Sequence, residues 1–415
     1  MKYLLFFERN WRKLSNNYPK IYLAVDNCIA AKRWCEPEEW MKLINSLGIK
    51  YVEASADNEC DPLYMDISYL KDWVKQIKKL SKIYDISVSN FYSGHGTYTT
   101  LGLAHHDKRV RKHFINNWVF PLINMASELE ADVGFYCHAF SEKMLSNKEE
   151  YSASKQILYD NLSIVANYAE DKGVQIGVEQ MYSPHQIPWT IDGSHELMKN
   201  VYSNGAPMYI TLDTGHQSGQ HKFLPPSVVS LLNSPEQNNS QWKGYADCLE
   251  WKNQYLDAEI SYQQFEKNVK ESIDLHSYLF SSKSDSDTYK WFESLAAYSP
   301  IIHLQQTDGK SSAHLPFTDE CNESGVIKGY ELLKAIEQSY INDQKTGIPP
   351  KCDKLYLTLE LFGGTADYPS TIISKLKSSV AYWRKFIPED GLRLDYLLEL
   401  ADKKPILMNK RSYRT

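Results

Sequence analysis

Long apolar runs are missing from this 415-residue chain. No stretch of 18 apolar residues occurs, so the sequence offers no helix able to span a bilayer. The apolar patch in the opening MKYLLFFERNWRK runs only from Tyr3 to Phe7 and no small-residue cleavage site follows, which predicts a cytoplasmic protein without a membrane partner. A basic balance is also missing. Lys and Arg number 46 against 52 Asp and Glu, a formal net charge of −6, which speaks against a nucleic-acid surface. Cysteine is scarce: seven residues (28, 35, 60, 137, 248, 321, 352), an odd count, scattered, with no C-x-x-C pair. That excludes a zinc ribbon and a disulfide scaffold, and predicts reduced thiols, most of them buried. Glycine-rich phosphate loops are absent too. Neither G-x-G-x-x-G nor a P-loop occurs, which removes the usual dinucleotide and nucleoside-triphosphate folds.

What is present is a repeated unit. Eight short apolar runs rich in Val, Ile and Tyr each end in polar residues: IYLAV (21–25), YVEAS (51–55), ISVSNFYS (86–93), VGFYCHAF (133–140), VQIGVEQM (174–181), MYITLDTGH (208–216), IIHLQQTDG (301–309) and LYLTLELFGG (355–364). Amphipathic stretches follow most of them, including EEWMKLINSLGI, LKDWVKQIKKLSKIY, VRKHFINNWVFPLINMASELE, YSASKQILYDNLSIVANYAEDKG and STIISKLKSSVAYWRKF. Runs of this length suit strands, and strands alternating with helices imply parallel pairing with right-handed crossovers. Eight such units predict an α/β fold, a closed (β/α)₈ TIM barrel.

One interval breaks the rhythm. About eighty residues, 217–300, separate runs six and seven and are rich in Ser, Asn, Tyr and Trp. They must hold the sixth barrel helix and a helical insertion, which would serve as a lid, an oligomer contact or decoration. The predicted organisation is a catalytic barrel over 1–385 that includes this insertion, and a C-terminal helix (LDYLLELADKK) with a basic tail over 386–415.

In such a barrel chemistry belongs to the C-terminal ends of the strands. Run five contributes Glu179. Run six contributes Asp213, with His216 three residues on. Run seven contributes His303 and then Asp308, and run eight contributes Glu360. Singly these are weak signals, since a strand Glu is more often salt-bridged and a strand His is more often a satisfied core residue. Together, Glu179, Asp213, His303 and Glu360 would bring three carboxylates and an imidazole to one point of the barrel mouth. Burying them without a counter-charge costs several kcal/mol. One divalent metal ion resolves the conflict.

The segments GVEQM, LDTGH, HLQQTDG and LTLELFGG resemble the last four strand ends of the xylose-isomerase-like barrel superfamily, with the D-x-x-H of Asp213 and His216 the most specific piece. The likeness extends loosely over all eight runs and is strongest to the sugar and sugar-phosphate isomerase and epimerase branch, the D-tagatose 3-epimerase-like proteins. HLQQTDGKSSAHLPFT also resembles tetrulose-phosphate epimerases. The resemblance implies that Glu179, Asp213, His303 and Glu360 ligate the ion, commonly manganese, magnesium or cobalt, with zinc admitted, and that His216 hydrogen-bonds a small-molecule sugar or sugar phosphate. The family places a substrate-binding arginine a few residues after the metal histidine. None occurs here, so that role would fall to Lys310.

The implied reaction is proton transfer beside a carbonyl through a metal-stabilised enediolate, with Glu179 and Glu360 as the two carboxylates on opposite faces. Return to the same carbon gives epimerisation, return to its neighbour gives aldose–ketose isomerisation, and a lyase outcome shares the intermediate. His95, His138 and His314 are further candidate substrate contacts, and Glu53 divides evenly between substrate and structural duty. Trp34, Phe91, Tyr92 and Trp189 are core residues or apolar walls, and His185 and His195 are expected on the surface. The loop GGTADYPST after run eight fits a phosphate site or an ordinary helix cap, the cap being favoured. Three rival readings remain. An endonuclease IV-like phosphodiesterase would show a D-x-H after His303, and a two-metal isomerase a D-x-D; neither is present. A non-catalytic sugar-binding barrel is the third. Nucleic acid is not expected as a partner, and homo-oligomerisation is left open.

Overall fold

The computed structural model describes residues 18–93, 102–137, 139–233 and 244–411, the last eight by backbone alone. Eight strands appear where the apolar runs predict them: β1 (Lys20–Asp26), β2 (Tyr51–Ser55), β3 (Ser87–Ser93), β4 (Asp132–Phe135), β5 (Ile176–Glu179), β6 (Tyr209–Asp213), β7 (Ile301–Leu304) and β8 (Lys354–Leu359). Each pairs in parallel with the next, and β8 pairs with β1, so the sheet closes into a (β/α)₈ TIM barrel. A short β9 (Leu392–Arg393) adds antiparallel to the start of β1, with Lys20 opposite Arg393. Two residues are too few to leave a periodic signature, and the sequence did not predict this strand.

The helices start where local chemistry starts them. Pro37 opens the helix Pro37–Asn45, with Glu36 and Glu39 forming a reciprocal capping box. Asp66, Asn147 and Thr190 accept backbone N–H groups at the starts of Ile67–Tyr84, Lys148–Asp171 and Ile191–Tyr202. The stretch expected as one helix after β3 is instead Lys108–Phe114, a π-helical turn Ile115–Val119, and Phe120–Leu129. Pro121 is the physical reason. It lacks an N–H and its ring crowds the carbonyl four residues back, and the wider turn absorbs both.

Between β6 and β7 lie a 3₁₀ segment His216–Phe223 and helices Val228–Asn233, Tyr245–Leu256, Tyr262–Leu275 and Thr288–Leu295. Thr288–Leu295 packs against Ile191–Tyr202 and Gly329–Ile341, which is the position of the sixth barrel helix. Tyr245–Leu256 and Tyr262–Leu275 pack on each other as the inserted pair. Ser281 closes this stretch onto its own start through the Gln220 and Phe223 carbonyls, and the Asp285 carboxylate ties it to the preceding barrel helix by accepting the Ile191 N–H. All seven cysteines are free thiols, with Cys60, Cys137, Cys248 and Cys352 buried. Among the described residues no helix is long and apolar enough to cross a membrane.

Inside the barrel the two-residue alternation of each strand stacks side chains in layers. At the base Tyr22, Tyr51 and Tyr356 meet with ring centroids 5.0, 5.1 and 5.4 Å apart. Higher up, Gly134 on β4 leaves room for Tyr92, since a Cβ there would fall 2.8 Å from the tyrosine ring. That space lets Tyr92 lie across the barrel toward β5.

Candidate metal centre at the barrel mouth

The strand registers set the site. Asp213 on β6 lies directly beside His303 on β7, and His303 beside Thr358 on β8. Glu360 is two residues beyond Thr358, on the same inward face. Glu179 ends β5 opposite Thr211, two residues before Asp213. These offsets follow the stagger of a tilted barrel and bring four side chains from four consecutive strands to one place. One ligand atom from each of Glu179, Asp213, His303 and Glu360 lies within 4.8 Å of the others, and all four residues are buried.

Each member is held. The Tyr92 hydroxyl donates to Glu179 Oε2, and Glu179 Oε1 stands 3.0 Å from His303 Nδ1. Asp213 Oδ1 accepts the N–H groups of Gly215 and His216 at 2.6 and 3.0 Å, and the Gln305 amide spans both its oxygens at 2.9 and 3.0 Å. Glu360 Oε2 is 3.4 Å from His303 Nδ1 and 3.4 Å from His314 Nδ1, and has no hydrogen-bond donor among the described residues. A buried carboxylate oxygen without a donor, beside two further carboxylates, is the arrangement a cation completes. Oxygen ligands with one imidazole are a donor set that suits a divalent cation.

The charges show the same strain. Burial, and then Glu179, Asp213 and Asp26 against partial relief from His303, push the Glu360 carboxyl well above its usual range. Burial opposes a charged His303, yet Glu53, Glu360 and the bonds to Glu179 and Glu53 hold its imidazole well above the ordinary value. For Asp213 burial is outweighed by His216, His314 and His303 with the Gln305 amide, and its carboxyl is lowered. Tyr92 is raised well above its usual value by burial and by Glu179 and Glu360, so it stays a proton donor.

Of the other predicted site residues, His216 joins the cluster: Nδ1 donates to the Gln180 carbonyl at 2.7 Å, and Nε2 lies 3.9 Å from Asp213. His314 joins it as well, in a left-handed backbone conformation with φ 46°, its ring stacked on Phe362 at 4.0 Å. Burial pushes His314 down to about 4, so it is neutral at physiological pH. Lys310 is not brought in. Its side chain is 86% exposed and pairs with Asp308 at 3.3 Å, so it does not stand in for the missing arginine. His95 and His138 lie outside the described residues. His195, expected on the surface, is half-buried, bonded to Ser294 at 3.0 Å and lowered to about 4 by burial and Lys345. His185 is partly exposed and pairs with Glu142. In the loop after β8 the Arg33 guanidinium is taken up by the carbonyls of Gly364, Thr365 and Asp367, and Asp367 accepts the Gly364 N–H; the helix Pro369–Trp383 that follows has no side-chain cap.

Sequence reasoning missed three contributors. Tyr92 was read only as core or apolar wall, and its hydroxyl holds Glu179. Gln305 follows His303 by two residues, so strand parity placed it on the inward face, where it clamps Asp213. Asp26 ends β1 level with Glu53, buried, its Oδ1 accepting the Cys28 N–H at 2.8 Å.

A family model for the xylose isomerase-like TIM barrel matches residues 41–274, more than half of the chain. D-erythrulose 1-phosphate 3-epimerase from Brucella abortus (strain 2308) is 26% identical over 143 residues, which is 34% of this chain and 42% of that protein. The chain thus spans about two-fifths of the curated relative it matches. Among solved structures, a Rhodospirillum rubrum ATCC 11170 protein named for xylose isomerase superimposes with TM-score 0.62 at 17% identity, over 88% of this chain and 99% of that one. D-psicose 3-epimerase from Clostridium cellulolyticum H10, solved with D-tagatose, gives TM-score 0.50 at 12% identity over 88% and 98%. At these identities the superpositions speak for the fold.

Proposed function

We propose, from the premise that this chain belongs to the xylose isomerase-like TIM barrel family, that it is a divalent-metal-dependent epimerase of ketoses or ketose phosphates. The observation that carries the reading is the meeting of Glu179, Asp213, His303 and Glu360 within 4.8 Å at the strand ends. The name of the partly matching relative, a tetrulose-phosphate 3-epimerase, supports a short ketose phosphate as the first substrate to try.

When bound, a divalent cation supplies the positive charge that stabilises the negative oxygen arising as carbon beside a carbonyl loses its proton. The chain's own residues move that proton. Glu179 and Glu360 end strands on either side of β6 and β7, so a sugar held over the cluster has a carboxylate toward each face. One takes the proton and the other returns it from the opposite face, which inverts the centre. Tyr92, bonded to Glu179, fixes that carboxylate, and the Gln305 clamp keeps Asp213 out of the proton traffic. His216 and His314 line the same opening, and the neutral His314 can donate to a sugar hydroxyl.

The test is hydrogen exchange. Protein with Mn²⁺ is incubated in D₂O with a panel of ketoses and ketose phosphates that includes D-erythrulose 1-phosphate, and NMR follows the label. Deuterium at the carbon beside the carbonyl, with a new epimer, is the expected result. Glu179→Gln and Glu360→Gln should each lose about 10²–10⁴-fold in labelling rate. Label accompanied only by an aldose would reassign the chain to isomerisation. Full labelling in either variant would end the two-carboxylate scheme.

A further inference from the structure

The cluster accounts for one nitrogen of His303; the other points away from it. Nδ1 faces Glu179 and Glu360 at 3.0 and 3.4 Å. Nε2 faces Glu53, with the two carboxylate oxygens at 3.0 and 3.2 Å. Glu53 comes from β2, on the far side of the barrel, and both residues are fully buried. Its placement is built. The register of β3 against β2 shifts between Val52 and Glu53, so Val52 faces Val88 while Glu53 faces Asn90 and Ser89 becomes the extra residue. Such a bulge re-aims the next side chain. Here it sets Asn90 so that its amide donates to Glu53 Oε2, while the Ser89 hydroxyl holds Asn90 Oδ1 at 2.8 Å. Tyr92 packs edge-on against the imidazole at 4.6 Å and limits its rotation.

We infer that Glu53 is a positioning residue for the metal centre: it accepts the Nε2–H of His303 and thereby leaves the Nδ1 lone pair aimed at the cation. The inference rests on the metal reading proposed above. A carboxylate behind a ligating imidazole fixes the tautomer, orients the ring and raises its basicity, and loss of such a partner costs on the order of 10- to 100-fold in metal affinity. A carboxylate serving only as barrel filling would leave affinity unchanged when replaced by its near-isosteric amide. Glu53 Oε2 takes the Asn90 amide and lies 3.2 Å from His303 Nε2, and Oε1 stands 3.0 Å from the same nitrogen, so the carboxylate faces the cluster through His303.

Mn²⁺ titration monitored by EPR on wild type and Glu53→Gln gives the affinity ratio. The expected result is binding weakened at least tenfold in the variant, with Glu53→Asp recovering part of the loss. Selective ¹⁵N labelling of histidine in the Mg²⁺-loaded wild type needs no substitution. It should show the His303 resonance with Nε2 protonated and Nδ1 bare. Equal affinity in Glu53→Gln, or a proton on Nδ1 in the loaded wild type, overturns the role of Glu53 while leaving the metal reading intact. A wild-type protein that takes up no divalent ion overturns both.

Discussion

At the base of the barrel Tyr22, Tyr51 and Tyr356 pack ring against ring, whereas two to four residues further along the same three strands the inward positions hold Asp26, Glu53 and Glu360. The backbone pattern is continuous through both levels, so the alternation that fills the base with aromatic rings also delivers carboxylates to the mouth. The base contributes stability through apolar area and ring contacts. The mouth works against it, because each buried carboxylate has left water without a full set of donors. The difference separates what holds the cylinder shut from what the cylinder presents, and it makes the two ends respond oppositely to substitution.

The largest contrast is expected between Glu360→Gln, just past the end of β8, and Tyr356→Ala, two periods of the alternation earlier on that strand. Glu360→Gln should remove most labelling activity yet make the cation-free protein as stable as wild type or more so. The gain should grow with pH, because a carboxyl raised by burial and by its acidic neighbours loses stability as pH climbs from its ordinary range toward its folded value. Tyr356→Ala should cost about 3–5 kcal/mol in urea unfolding while leaving the turnover of the folded fraction nearly unchanged. Equal loss of stability in both variants would break the division between the two ends.

Cation addition sharpens the same contrast. At a concentration of Mn²⁺ about 100 times its dissociation constant, wild type should gain about 2.7 kcal/mol of stability. Tyr356→Ala should show the same increment from its lower starting point, and Asp213→Asn should show little or none. Thermal unfolding with and without Mn²⁺ reads all three. An undiminished increment in Asp213→Asn would remove that carboxylate from the ligand set.

Much of this plan was legible in the sequence, for identifiable reasons. The eight strands announced themselves because buried parallel strands are short apolar runs bounded by turn residues. Glu179, Asp213, His303 and Glu360 were legible because each interrupts such a run with a group that needs a partner. What stayed hidden depends on strand tilt and stagger, which a one-dimensional pattern does not carry. Parity places Glu53, Gln305 and Tyr92 on the inward face, but only the closed cylinder shows that Glu53 meets His303 across 250 residues of chain, or that Tyr92 crosses to Glu179 through the gap left by Gly134. Lys310 shows the opposite failure. Its place after His303 suggested substrate contact, but the loop turns its side chain into solvent beside Asp308.

The smallest predicted effect concerns a buried acid just outside the mouth. Glu59 ends the helical turn Ala56–Glu59 that follows β2, is 4% exposed, and accepts the indole N–H of Trp40. Burial outweighs that bond and, with Glu36 and Glu39 nearby, pushes its carboxyl up to about 7. Unlike Glu360 it belongs, among the described residues, to no cluster that a cation could complete, and protonation relieves it. Its folded value lies above the ordinary one. The stability it contributes is therefore present in full below about pH 4.5, declines as pH rises toward 7, and stays lost above that. Between pH 5 and 8 wild type should lose roughly 1–3 kcal/mol that Glu59→Gln retains, since glutamine keeps the acceptor for Trp40 without a charge to desolvate. Trp40 fluorescence should titrate near neutrality in wild type and not in the variant. Identical slopes of stability against pH in the two proteins would show that Glu59 is ionised in the fold, and that a buried carboxylate here is tolerated without either a proton or a cation.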